Sequence, residues 1–339
     1  MYDLAKGLDT EKFEVEIACK NSKGAFFHEV EKLGFPIHIT DTTVPLRPYF
    51  NLLFRIKPFR NFVKQHQFDV VHSWNWSSDW SEVLASRLGG AQFVYTKKAM
   101  SWGNIHWKIK SYLSHFIVTI NEEMRNYFPD KQQQQLIPLG LDTDYYNPNL
   151  YPKKDRVTIF KIITVANLVP VKGIEILIQA IQLLNNINIQ LEVLGDDRDS
   201  YSNELKQLVT ALGLEHQISF LGKHTDVRPF LAQADLYVIP SKKEGMPMAL
   251  VEAMTMGIPV LGSNISGINF VLKDFPELLF EASNAAALSE KIALFYQKSE
   301  EERQAIGQEL RKYCIEHFSV ERFIKAHEEL YETLVKRKR

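Results

Sequence analysis

Short apolar runs and amphipathic stretches alternate along the whole chain. In the first half, residues 13–18, 36–40, 69–72, 92–96 and 116–120 read as strands, with helical stretches between them. In the second half the strands fall at 160–166, 189–194, 218–221, 235–239 and 258–262, and helices at 174–184, 204–212 and 227–233. Such alternation predicts βαβ units and a parallel sheet in each half. The polar, turn-like residues 152–155 set the expected boundary, giving domains of 1–150 and 151–317. Beyond Glu281 the chain reads as helical, and Phe318, Phe323, Ala326, Leu330, Tyr331 and Leu334 mark one face of a last helix.

The stretch 241–254 combines this pattern with chemistry. It reads as a loop feeding a helix, with Pro247 in the first turn and Gly257 and Pro259 as its stop. The helix is apolar nearly all round through Met248, Leu250, Val251, Ala253 and Met254, yet Glu252 sits in its middle. A buried carboxylate is costly without a polar partner, so a ligand hydroxyl or an internal group is expected to meet it. Glu244 lies in the loop beside the first N–H groups of the helix. That position favours anions or sugar oxygens, and it also suits a solvated loop residue.

The run Glu244-Gly-Met-Pro-Met-Ala-Leu-Val-Glu252-Ala-Met, with Gly257-Ile-Pro-Val260 after it, closely resembles the signature of retaining glycosyltransferases of family 4. The resemblance implies an α/β protein of the GT-B type. Two Rossmann-like domains face across a cleft in that type, and the C-terminal helix, about 318–337 here, crosses back to the first. It also implies transfer from a nucleotide sugar, a UDP- or GDP-sugar, to a hydroxyl of a glycan or lipid-linked acceptor, with no cofactor and no metal. By position, Glu244 and the loop Gly245, Met246, Pro247, Met248 and Ala249 meet the sugar, and Glu252 meets the ribose. Asn167-Leu-Val-Pro-Val-Lys172-Gly173 resembles the family's phosphate loop, with Lys172 on the diphosphate. Gly222 and Lys223 close a segment that resembles its base-contacting turn. Residues 137–145 resemble its hinge-side segment, and 263–267 its Ser-x-x-Gly-Gly loop, with Ser266 in place of the first Gly.

Three departures stand out, in the first half of the chain and in the diphosphate grip. The family opens with a strand and a Gly-rich loop, whereas this chain begins inside the following helix. The expectation is a start that omits about 20 residues, one strand and its loop, or else a rearranged sheet edge. Asn167 stands where the family has Arg, and Lys98 where it has His. Lys97 and Lys98 meet an anionic acceptor or the leaving diphosphate, or they are solvated surface charges. Lys98 joins Glu244 and Lys172 as a catalytic candidate. His72 and His106 are acceptor-side substitutes or structural residues, and Trp74, Trp76, Trp80, Trp102 and Trp107 offer aromatic faces to an acceptor or pack a core. These departures leave open a non-catalytic or partner-dependent nucleotide-sugar binder, and a sugar-nucleotide epimerase.

Composition narrows the remaining classes. A chain of 339 residues, 45% apolar and 24% charged, is ordinary globular protein of two-domain length. A net charge of −1 argues against a nucleic-acid partner. Cys19 and Cys314 make no disulfide framework, which points to a reducing cytoplasm. There is no GxGxxG or P-loop motif to support a dehydrogenase or NTPase. Residues 48–64 mix Phe50, Leu52, Leu53, Phe54, Ile56, Phe59 and Phe62 with Arg55, Lys57, Arg60 and Lys64. Such a segment lies on an anionic membrane, here the inner face, or packs as a helix on the first sheet. The basic tail at 336–339 reads as solvated, with lipid contact as its alternative.

Overall fold

The computed structural model describes residues 1–24, 26–98, 100, 104–152, 159–198 and 200–338, with the backbone alone at 337 and 338. Trp102, most of the 152–155 turn and the end of the basic tail therefore lie outside the described residues or side chains. The chain forms two compact units, Met1–Gly140 with Val320–Arg339, and Leu141–Ser319. The last helix, Val320–Lys338, thus belongs to the first unit.

In the first unit, β1 (Ile17–Cys19) pairs in parallel with β2 (Ile37–Ile39), and β3 (Val70–Ser73), β4 (Gln92–Lys97), β5 (Phe116–Thr119) and β6 (Gln134–Leu136) form a four-stranded parallel sheet in that order. Alternate side chains of β4 serve opposite faces. Val94 packs with Val118, Ile137 and the last helix through Phe323, Leu330, Tyr331 and Leu334. Phe93 and Tyr95 pack with Val83, Trp107 and Leu113. A strand buried on both faces reads as a continuous apolar run, which is why β4 was legible. β6 was not: its Gln134 and Gln135 are polar, as an edge strand bonded only to β5 allows. No ladder joins the two sheets among the described residues. The expected strand 13–18 shortens to β1, because Phe13 and Val15 turn into separate cores.

In the 48–64 segment, Leu52, Ile56, Phe59 and Val63 pack inward against Ala85 and Ala91. Phe62 is partly buried against the same cluster. Phe50 (89% exposed), Leu53 and Phe54 face solvent, with the Lys57 ammonium 4.9 Å from the Phe54 ring, and Arg47 and Lys64 are exposed as well. No helix among the described residues is long and apolar enough to cross a membrane.

The second unit carries β7 (Phe160–Val165), β8 (Ile189–Leu194), β9 (Ile218–Gly222), β10 (Leu236–Ile239), β11 (Val260–Ser263) and β12 (Leu279–Phe280). All are parallel, in the order β12-β11-β10-β7-β8-β9. The chain runs outward from β7 to β9, then returns to β10 on the other side of β7. The strand order reverses between β7 and β10, and the carboxyl ends of strands at such a reversal are where open α/β sheets bind ligands. The segment after Gly140 joins this unit ahead of the expected boundary, because Leu141 N–H donates to the Phe318 carbonyl (2.8 Å) and Arg311 donates to the carbonyls of Tyr146 and Thr255.

Candidate functional site

Two backbones touch where the strand order reverses. The loop after β7 carries Lys172 and Gly173, and the loop after β10 carries Ser241 and Glu244. Gly173 adopts φ +63°, and a Cβ there would lie 2.3 Å from the Pro240 carbonyl oxygen, so both torsion and space demand glycine. Lys242 N–H donates to the Val171 carbonyl (2.8 Å). Those contacts bring Lys172 Nζ to 2.6 Å from Glu244 Oε1, and the Ser241 hydroxyl donates to the same oxygen at 2.8 Å. The loop after β11 closes the third side. A Cβ on Gly267 would come within 2.4 Å of the Glu244 carbonyl oxygen. Three strand ends thus position one carboxylate.

The helix Met248–Thr255 follows. Pro247 is its N-cap, with extended backbone, rather than a residue of its first turn. Leu250, Val251, Ala253, Met254 and Thr255 are buried. The remaining face is only half-buried: Glu244 and Gly245 before the helix, then Met248, Ala249 and Glu252. Residues three and four apart share a helix face, so Glu252 lies one turn beyond Met248 on the open side. The helix is therefore not buried all round, as its composition had implied. Burial raises the Glu252 carboxyl above the usual range, partly offset by a hydrogen bond from the Tyr146 hydroxyl. Of the predicted loop residues, Met246 and Pro247 turn their side chains inward, and Pro247 has no N–H to offer a ligand.

Asn167, after β7, and Lys223, after β9, are exposed, and the carbonyl of Gly222 (φ +73°) accepts the Gly195 N–H at 2.9 Å. Asp196, close to Lys223, is held at about 2, chiefly by its hydrogen bond from Arg198. Lys172 is thus in direct contact with Glu244, Gly173 packs on Pro240, and Glu252 lies on the half-open face of the helix that follows. Asn167 follows β7, and Gly222 and Lys223 lie at the end of β9, two strands away in the same sheet.

The acceptor-side candidates all lie in the first unit. Lys97 is buried, its ammonium 5.3 Å from the Trp107 ring centre and 5.4 Å from that of Tyr127, so it is no solvated surface charge. Lys98 is half-buried just past β4, its ammonium held below the ordinary lysine value by burial and then by Lys110. Both ring nitrogens of His72 are engaged, Nε2 with Thr96 Oγ1 (2.7 Å) and Nδ1 with the Tyr331 hydroxyl (2.5 Å). Burial keeps His72 well below the usual histidine value. Trp74 packs on Phe323 and His327, and His106 Nδ1 accepts from the Trp80 indole at 3.1 Å. Trp76 is exposed and Trp107 packs on Tyr95.

Sequence reasoning passed over three groups. Ser241 opens the very loop that was singled out, and its hydroxyl three residues before Glu244 was the available signal. Tyr146 stands one residue past the 137–145 segment. The third is the buried ion pair Lys110–Glu82 (2.5 Å), which the Ser73 hydroxyl joins at 2.8 Å, and no local pattern announced it.

The sequence pattern described as glycosyl transferases group 1 matches residues 152–313, and that of glycosyltransferase family 4 matches residues 1–145. The chain is 31% identical over 253 residues to an uncharacterized glycosyltransferase of Methanocaldococcus jannaschii, covering 73% of this chain and 67% of that protein. It is 26% identical over 225 residues to the N-acetyl-alpha-D-glucosaminyl L-malate synthase of Bacillus anthracis, covering 65% of this chain but only 58% of the relative. A UDP-Gal:alpha-D-GlcNAc-diphosphoundecaprenol alpha-1,3-galactosyltransferase of Escherichia coli is 25% identical over 317 residues, 82% of this chain and 78% of its own. Among solved structures, a glycosyltransferase from Rickettsia africae superposes with a TM-score of 0.87 over 98% of this chain and 93% of its own, at 20% identity. HepE of Anabaena, solved in complex with UDP and glucose, gives 0.79 over 98% and 94%, at 18% identity.

Proposed function

This chain belongs to the family 4 glycosyltransferases of the GT-B fold, and on that premise we propose that it moves a glycosyl group from a nucleoside diphosphate sugar to a hydroxyl, with retention of the anomeric configuration. The observation that carries the reading is the half-open face of Glu244, Met248 and Glu252, with Lys172 held on Glu244 where the strand order reverses. Glu252, once ionised, accepts the ribose hydroxyls, and Glu244 accepts hydroxyls of the sugar. Lys172 has three donors, so it can keep Glu244 and still meet a phosphate oxygen. Together with the first N–H groups of the helix Met248–Thr255, it stabilises charge on the departing diphosphate. The glutamates are not a hydrolase pair, since each binds a different part of the donor.

UDP is the first nucleotide to test, because HepE was solved with it. A glycan or lipid-linked acceptor is favoured by the printed substrate of the E. coli relative, a sugar on diphosphoundecaprenol. Lys98 is the acceptor-side candidate. Phe50, Leu53 and Phe54, exposed among basic residues, offer peripheral contact with an anionic membrane where a lipid-linked acceptor resides.

The test is a thermal-shift screen against UDP-, GDP- and ADP-sugars with Glu252→Ala alongside, followed by NMR of the product's anomeric centre. One donor that raises the melting temperature of the wild type but not of the variant supports the reading. If no donor shifts the wild type, or if the anomer inverts, the reading fails. A donor epimerised without acceptor, or transfer that requires an added protein, would establish the epimerase or the partner-dependent alternative.

A further inference from the structure

Outside the donor site, three metal-binding side chains from separate elements of the first unit converge. Glu16 immediately precedes β1, His38 is the middle residue of β2, and His66 ends the helix Lys57–His66. One carboxylate oxygen, Glu16 Oε2, lies 2.5 Å from His38 Nε2 and 3.2 Å from His66 Nδ1. The three ligand atoms all lie within 4.8 Å of one another. The side chains are 16%, 25% and 27% exposed for Glu16, His38 and His66, so a hydrated ion can reach them. Aromatic rings form the wall behind: Phe62 sits 4.9 Å from the His38 ring and Phe68 stacks 5.2 Å from the His66 ring.

From this geometry we propose that Glu16, His38 and His66 form a divalent-metal site, and that its occupant is Zn²⁺. Two imidazoles and one carboxylate are a zinc donor set that leaves further positions to water. With zinc–ligand bonds of about 2.1 Å, ligand atoms of a tetrahedral site stand about 3.4 Å apart. The present contacts reach that spacing by small side-chain rotations. Each ring would carry its proton on the nitrogen facing away from the ion, as metal-bound imidazole does.

The site's place in the fold says what the ion does. β1 and β2 share no backbone ladder with the four-stranded sheet among the described residues. His66 belongs to a helix whose Phe59 and Val63 pack with Ala85 and Ala91, next to that sheet. An ion held by all three residues therefore clamps the β1–β2 pair to the rest of the unit.

The experiment uses the full chain without a histidine tag, stripped by chelator and titrated with Zn²⁺ against a chromophoric competitor. Co²⁺ serves as a spectroscopic probe. One equivalent of Zn²⁺ should bind and raise the melting temperature, and Co²⁺ should show the visible bands of a four- or five-coordinate nitrogen–oxygen site. His66→Gln should weaken Zn²⁺ by tenfold or more and abolish the melting shift, while His216→Gln, at an exposed position of the other unit, should change neither. Glu16→Gln, which keeps the side chain's shape and removes its charge, should weaken binding likewise and covers the case in which His66→Gln folds poorly. Absence of stoichiometric binding by the wild type, or binding that survives Glu16→Gln at full strength, overturns the proposal.

Discussion

Gly267→Ala tests whether the Glu244 loop is positioned from behind. A Cβ at this position would lie 2.4 Å from the Glu244 carbonyl oxygen, 2.6 Å from that of Gly245 and 2.7 Å from the Glu244 carbonyl carbon. Ordinary contact begins near 3.4 Å, and all three neighbours are backbone, so no side chain can swing aside. The loop must retreat by about 1 Å, at a typical overpacking cost of about 1–3 kcal/mol. That displacement is large against the 2.6 Å contact between Glu244 and Lys172. A misplacement of about 1 Å at a reacting geometry costs about 10²-fold in rate. We therefore expect kcat/KM for transfer to fall by 10- to 100-fold and donor affinity, read by calorimetry, to fall with it. Gly307→Ala is the control for plain destabilisation: its Cβ would meet the Gly257 carbonyl oxygen at 1.9 Å, past the other end of the helix Met248–Thr255. Should both variants lose similar melting temperature while Gly267→Ala keeps kcat/KM and donor affinity within twofold, the idea of a loop positioned by Gly267 is wrong.

Four further outcomes are expected. Lys172→Gln leaves Glu244 without its cation and the diphosphate without its neutraliser, so donor affinity should drop at least tenfold and lose part of its salt dependence; an unchanged Kd would remove Lys172 from the site. Because burial raises the Glu252 carboxyl, donor affinity should weaken as pH falls through that raised value, above the ordinary glutamate range, and Glu252→Gln should bind about tenfold more weakly without that pH dependence. His327 shifts the other way yet also loses at low pH: it is fully buried and lowered to about 4 by burial, with its Nδ1–H donating to the Phe323 carbonyl. The unfolded chain binds a proton near pH 6.5 that the folded chain refuses, so stability is complete above that pH and falls by about 1.4 kcal/mol per pH unit toward pH 4; urea melts of His327→Leu should show a shallower acid slope, and an unaltered slope would refute the assignment. Finally, Phe50→Ser with Phe54→Ser should reduce sedimentation with anionic vesicles several-fold while leaving transfer to a soluble acceptor intact; equal sedimentation would rule out this face as the contact.

Much of this protein was legible before any coordinate. The pattern of apolar positions predicted parallel sheets in both halves, because burial on two faces writes itself into a strand as a mostly apolar run, unbroken in β10 and interrupted by few polar residues in β4 and β7. The spacing of Glu244 and Glu252 left a binding and a structural reading open, and the resemblance to the family signature made the stretch the candidate site; helix geometry carries Met248 and Glu252, four apart, to one face. Local sequence also explained Gly257 (φ +72°), which ends that helix as a left-handed residue must.

What local sequence could not decide was partnership. The polar edge strand β6, the separation of β1 and β2 from the larger sheet, and the burial of Lys97 under Trp107 and Tyr127 each depend on which distant elements meet. The same is true of Lys172 on Glu244, of Tyr146 on Glu252, and of Glu16 between His38 and His66. Backbone torsion and the buried face of an element are set by neighbours in the chain, whereas the partner of a polar side chain is set by strand order. Strand order is a property of the assembled sheet.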